Sequence, residues 1–193
     1  MFPFYSGRPP WETAYTHHHH QSPRGSRNSR LHGGSYTAGA KKSFGEPRLL
    51  LPDSPAPVVY VQPNYRLGAF GFLAGPSFTR SPNTIPNAGL YDQLFALEWV
   101  QKNIELFGGN KDEVTAMGLS AGGGSIMHLI SGFGGQKNPN FKRAIPISPG
   151  SYPTSGSGDS EAVYKEFESR AGCMFLLIAT SFRFPREGGM ADG

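Results

Sequence analysis

The pentapeptide Gly118-Leu119-Ser120-Ala121-Gly122 is the most constraining feature of this chain, because of what flanks it. Glu113-Val114-Thr115-Ala116-Met117 reads as a short strand, and the stretch from Ala121 to about Phe133 reads as a helix. A serine at such a strand-to-helix turn is forced into a strained backbone conformation. Its hydroxyl then stands clear of the sheet, and small residues two positions away on either side prevent a clash. Ala121 offers its backbone N–H at a helix N-terminus, where partial positive charge favours an oxyanion. Ser120 is therefore read as an acyl-transfer nucleophile. The five letters alone fit any glycine-rich turn; the strand before and the helix after favour the nucleophile.

A second element lies far upstream, at His32-Gly33-Gly34-Ser35. Ester hydrolysis builds negative charge on the carbonyl oxygen, and preorganised backbone N–H groups must meet it. Glycines let the backbone approach closely. Alone, this stretch reads equally well as a flexible linker; paired with the turn at Ser120, an oxyanion loop is the better reading.

Composition narrows the alternatives. The 193 residues include 26 Gly and 17 Pro, and only 37% are hydrophobic, so parts of the chain are expected to lie outside a packed core. The net charge of +4 gathers in residues 1–30, where Arg8, Arg24, Arg27 and Arg30 oppose Glu12 alone. No basic stripe on a folded face is visible, which argues against a nucleic-acid partner. Cys173 is the single cysteine, so no internal disulfide forms. No apolar run approaches the roughly 20 residues of a membrane span. The N-terminus lacks the pattern of a secretory signal, and the compartment stays open. The run His17 to His20 reads as part of a solvated tail rather than a metal site, since no cysteine or carboxylate cluster accompanies it.

Periodicity supplies the remaining elements. Residues 1–30 read as a disordered basic tail, and Val58–Val61 as a buried strand. Residues 66–86 read as loop with short turns. Leu90, Leu94, Leu97, Val100, Ile104 and Phe107 line one face of a helix over 87–107, with Asn87 as its cap and Gly108-Gly109 as its end. Ala144–Ser148 reads as another short buried strand and 160–172 as a charged helix. Strands alternating with helices predict an α/β layout around a mainly parallel sheet.

Taken together, these stretches resemble the type-B carboxylesterases, the α/β-hydrolase group that includes cholinesterases and fungal lipases. The resemblance is carried by Asn64-Tyr65-Arg66-Leu67-Gly68-Ala69-Phe70-Gly71-Phe72-Leu73, by Asn87-Ala88-Gly89-Leu90-Tyr91-Asp92-Gln93 and by Ala96 to Ile104. It continues through Phe107-Gly108-Gly109-Asn110, the Ser120 turn and Phe141-Lys142-Arg143-Ala144-Ile145. It spans about residues 31–172, with 173–193 outside the pattern. The resemblance implies an incomplete α/β-hydrolase fold and carboxylic ester hydrolysis through an acyl-enzyme. It also implies Ser120 as nucleophile, with Gly34, Ser35 and Ala121 as oxyanion-hole donors. No metal and no organic cofactor is implied. Ser35 stands where the family has a third glycine. Leu119 stands where cholinesterases carry a glutamate, so a neutral or apolar ester suits this site better than a choline ester.

The family places a catalytic acid and then a histidine after the nucleophile. Here the only later histidine is His128, eight residues along the same predicted helix and about 12 Å along its axis. Asp159, Glu161 and Glu166 are candidate acids without a histidine to orient. Residues 24–30, Arg-Gly-Ser-Arg-Asn-Ser-Arg, stand where the family has an apolar central strand, so a gap between the strands at 58–62 and 113–118 is expected. Both ends thus read as truncated or misassembled, and impaired catalysis is expected. The alternatives are a non-catalytic esterase-like interaction protein and a non-functional fragment.

Overall fold

The computed structural model describes residues 14–16, 25–42, 58–150 and 156–173. The run His17 to His20 and residues 174–193 lie outside them. The described residues fall into two units, one of 14–16, 25–42, 58–73 and 85–150, the other of 74–84 and 156–173.

The first unit is built on a five-stranded sheet. Its strands are β1 (Ala14–Thr16), β2 (Gly25–Leu31), β3 (Val59–Val61), β4 (Gly109–Leu119) and β5 (Arg143–Ile147), in the order β1-β3-β2-β4-β5. All neighbours are parallel except β1, which runs antiparallel to β3. This is the mainly parallel sheet expected from the alternation of strands and helices.

One expectation fails here. The segment read as tail forms β2, and it fills the central position that was expected to be empty. Ser29 pairs with Val61 on one side and Ala116 on the other, and Leu31 pairs with Gly118. The composition of β2 is polar, but a central strand needs backbone partners on both edges more than it needs apolar side chains everywhere. Ser29 and Leu31 are nevertheless buried at 2% and 0% exposure. Residues 14–16 also join the sheet, so the tail does not run unbroken to residue 30.

Two helices cover one face. Helix α3 (Ala88–Asn103) continues as a 3-10 turn over Ile104–Phe107 and packs Val100 and Ile104 against Val59, Val61 and Val114. Helix α4 (Ala121–Ser131) packs Ile126 against Leu31 and Ala116. Phe141 touches both clusters. Side chains alternate across a strand, so Val114 and Ala116 of β4 share this face and bind the two helices to one layer. Gly108, at φ 75°, ends the α3 segment in the left-handed region as expected. Asn87 departs from expectation. It sits at the start of α3 with φ 59° and makes no side-chain cap; its carbonyl instead accepts from the N–H groups of Leu90 and Tyr91. Asparagine tolerates that region better than most residues.

The glycine- and proline-rich stretch read as loop contains two single-turn helices, α1 (Gly68–Phe72) and α2 (Pro76–Arg80). Strand β5 also differs from its expected burial, since all five residues are exposed. Glu113 of β4 pairs with Arg143 of β5 and with the neighbouring Lys142, and both hold its carboxyl below the ordinary range. In the second unit, α2 packs on α5 (Ser157–Arg170), with Phe78 and Tyr164 ring centroids 5.8 Å apart. The Ser77 N–H donates to Glu161 Oε2 at 2.8 Å.

Candidate active site

Ser120 sits between the last residue of β4 and the first of α4, with φ 54° and ψ −120°. A non-glycine residue rarely adopts this conformation, which costs about 1–3 kcal/mol and persists only where its surroundings fix it. The surroundings do so through the backbone. The Ser120 N–H donates to the Ile147 carbonyl at 2.9 Å, tying the turn to β5. The Ser120 carbonyl accepts from the N–H groups of Gly124 and Gly150, both at 2.9 Å.

The glycines on either side explain why this turn needs that sequence. A Cβ on Gly118 would run into the Gly122 backbone, and one on Gly122 would run into the carbonyl of Leu31 and lie 2.9 Å from the His32 oxygen. The start of α4 therefore lies directly on β2 and the residue after it. Gly123 and Gly124 continue the bare surface, so α4 approaches Pro149 and Gly150 at backbone distance.

The oxyanion-loop candidate follows β2 and lies against this turn. A Cβ on Gly33 would be 2.7 Å from the Leu119 carbonyl oxygen and 3.1 Å from Ser120 Cβ. Three successive residues have positive φ, namely Gly34 at 118°, Ser35 at 53° and Tyr36 at 62°. The Gly34 carbonyl accepts from the N–H groups of Thr37 and Ala38 at 3.0 and 2.9 Å, which closes the loop into a tight turn. Ser35 thus takes the left-handed conformation that a third glycine would adopt freely, at about 1–2 kcal/mol. Its N–H is retained. Ala121, 1% exposed, opens α4 beside Gly150. The structure therefore brings Ser120, Ala121 and the 33–36 loop together from positions almost ninety residues apart.

His32 belongs to the floor of the loop. It is 2% exposed, and its Nδ1 lies 2.9 Å from the Gly33 carbonyl oxygen, which can only accept, so Nδ1 carries the proton. Burial lowers the imidazole pKa below its ordinary 6.5, an effect partly offset by that hydrogen bond. His128 lies half-buried on α4, beside Leu129 and Lys137 in a pocket of about 170 Å³ that Ser120 does not line. Asp159, Glu161 and Glu166 lie on α5 in the second unit, where Glu161 holds Ser77 and Glu166 pairs with Arg170. Among the described residues, no group of three or more His, Cys, Asp or Glu side chains could hold a metal ion. No described helix is long and apolar enough to cross a membrane.

In the sequence, Asn64–Leu73 carries family resemblance but no predicted role at the site. Here its residues surround the oxyanion-loop candidate. The Tyr65 hydroxyl donates to the His32 carbonyl at 2.7 Å, and the Gly68 N–H donates to the Tyr36 carbonyl at 2.7 Å. The available signal is a tyrosine between the polar residues Asn64 and Arg66, just after a strand.

The chain matches the Carboxylesterase family over residues 29–183, a wider span than the expected 31–172, so part of the segment placed outside the family belongs to the match. It is 40% identical over 149 residues to the secreted lipase of Arthroderma benhamiae, an alignment covering 74% of this chain and 29% of that protein. The crystal structure of juvenile hormone esterase from Manduca sexta superposes with a TM-score of 0.67 at 31% identity, covering 77% of this chain and 27% of that one. A PNB esterase superposes with a TM-score of 0.66 at 36% identity, covering 78% and 31%. The chain spans less than a third of the length of each of these relatives. With the sheet, the strained serine turn and the extent of the match all agreeing, the chain belongs to the carboxylesterase family.

Proposed function

We propose that this chain carries the nucleophile and oxyanion-binding part of a serine carboxylic ester hydrolase. The observation that supports this best is the placement of the strained Ser120 turn directly against Gly33 at the head of the 33–36 loop. In this reading Ser120 Oγ attacks the acyl carbon, and the N–H groups of Gly34, Ser35 and Ala121 receive the negative charge on the carbonyl oxygen. Collapse of the tetrahedral intermediate breaks the acyl–oxygen bond. The alcohol leaves with a proton, and water then releases the acid from the acyl-serine. Leu119, half-buried at the end of β4, gives the turn no carboxylate neighbour, which supports a neutral or apolar ester as substrate. No cofactor enters this scheme.

The serine needs a proton acceptor. His128 follows Ser120 by two turns of the same helix and faces a different pocket. The 193-residue polypeptide by itself is therefore proposed to turn over esters slowly, with Ser120 still open to acylating reagents. A fluorophosphonate probe tests this reading. Covalent labelling of the full chain, lost in Ser120→Ala, is the expected result, accompanied by weak Ser120-dependent hydrolysis of a p-nitrophenyl ester. Labelling that persists in Ser120→Ala, or no labelling in a folded chain, would overturn it and favour a non-catalytic role.

A further inference from the structure

The oxyanion-loop candidate is held partly from within and partly by its neighbours. Its internal backbone bonds run from Thr37 and Ala38 to the single carbonyl of Gly34. Several further contacts on its described residues come from the segment after β3. Asn64 Oδ1 accepts from the Lys41 N–H at 2.8 Å at the far end of the loop. The Gly68 N–H bonds the Tyr36 carbonyl in its middle, and the Phe72 ring meets the Tyr36 ring with centroids 4.8 Å apart. Tyr65 holds the near end twice, through its hydroxyl on the His32 carbonyl and through its ring, stacked on the His32 imidazole at 4.3 Å and 15°. This segment is in turn fastened to α3, since the Arg66 N–H and guanidinium both bond Asp92 at 2.8–3.0 Å. A Cβ on Gly89 of α3 would lie 2.5 Å from the Arg66 carbonyl oxygen, so the two backbones touch.

We infer that Tyr65 is a positioning residue for the oxyanion donors, its hydroxyl and ring together fixing His32 and, through it, the glycine turn that faces Ser120. This rests on the esterase reading of the loop. The chain of contact is short: Tyr65 to His32, His32 Nδ1 to the Gly33 carbonyl, and Gly33 against Ser120 and Leu119. Tyr65 is 6% exposed, so water does not replace its hydroxyl freely, and burial keeps the phenol protonated as a donor. Without the hydroxyl, the buried His32 carbonyl loses its partner and the loop loses its near anchor.

Tyr65→Phe removes the hydroxyl and keeps the ring. Deuterium exchange on the full chain should show residues 32–38 exchanging at least about tenfold faster in this variant, with 113–119 unchanged. Ester kinetics give a second readout, through p-nitrophenyl acetate and its thiono analogue, whose sulfur accepts these hydrogen bonds poorly. The expected result is a roughly tenfold fall in kcat for the oxygen ester, KM within about twofold, and a smaller fall for the thiono ester. Unchanged exchange in 32–38, or equal losses for both esters, would overturn the inference. Should the variant not fold, the wild-type chain still decides: Thr37 and Ala38 amides without protection would refute a clamped loop. Should wild type show no Ser120-dependent turnover, the esterase reading falls, while the exchange data separately decide whether Tyr65 holds the loop.

Discussion

Gly33 lies against Ser120: a Cβ added to the glycine would stand 3.1 Å from the serine Cβ and 2.7 Å from the Leu119 carbonyl oxygen. The second contact is to backbone that is itself fixed in β4, so the loop rather than the strand would give way. Gly33→Ala is expected to push the loop off the serine turn and lower Ser120-dependent esterase turnover by at least tenfold. The melting temperature should fall modestly, consistent with overpacking of about 1–3 kcal/mol. Turnover within twofold of wild type would show that the loop does not work at this distance.

The two glycines around α4 separate steric need from glycine content. A Cβ at Gly122 would drive into the Leu31 carbonyl and come within 2.9 Å of the His32 oxygen, whereas at Gly132 it would meet nothing within 4 Å. Gly132 also has an ordinary φ of −57°. Gly122→Ala is expected to cost several kcal/mol, because neither β2 nor α4 can retreat without breaking the sheet–helix contact. Gly132→Ala is expected to change stability by less than about 0.5 kcal/mol. Urea titration followed by circular dichroism would rank the two, and equal effects would contradict this packing.

Much of this architecture was legible because its signals are periodic or stereochemical. The spacing from Leu90 to Phe107 marks α3, and the small residues around Ser120 mark a turn that only they allow. What escaped has physical causes that differ from element to element. Strand β2 is polar, and its place depends on backbone pairing with β3 and β4, which side-chain hydrophobicity does not encode. The single turns α1 and α2 are too short to show a period. Asparagine before a helix predicts a side-chain cap, whereas at Asn87 the left-handed backbone and its carbonyl start α3. At the site, Ser120, Ala121 and the 33–36 loop could be proposed from local pattern. Tyr65 could not, since its role depends on the contact with His32 across the fold.

Ser35 offers a test in the stabilising direction. Its φ of 53° places a Cβ-bearing residue in the left-handed region, at about 1–2 kcal/mol. Glycine removes that cost, while greater freedom of the unfolded chain returns about 0.4–1 kcal/mol. Ser35→Gly should therefore raise stability by about 0.5 kcal/mol and the melting temperature by about 1–2 °C. The backbone N–H is retained, so Ser120 labelling by a fluorophosphonate should proceed at an unchanged rate. A fall in melting temperature would mean that the serine side chain contributes a contact outweighing its strain.

His32 sets the response to acid. Burial holds its imidazole pKa below the ordinary 6.5, with the Gly33 carbonyl bond a smaller effect in the opposite direction. Below pH 6.5 the unfolded chain takes up a proton on this residue that the folded chain refuses. Stability from His32 is therefore complete above pH 6.5 and declines as pH falls toward the lower folded value. The carboxylates of Glu113, Glu161 and Glu168 have lowered values, so their contributions are present above 4.5 and fade below it, in a separate window. Thermal melts between pH 8 and 5 should show a decline beginning near 6.5 that approaches, without exceeding, one proton per molecule. In His32→Gln that decline should be largely absent, even if the variant is less stable at pH 8 through loss of the Tyr65 stack. A His32→Gln melt falling as steeply between pH 6.5 and 5 would assign the acid response to another group.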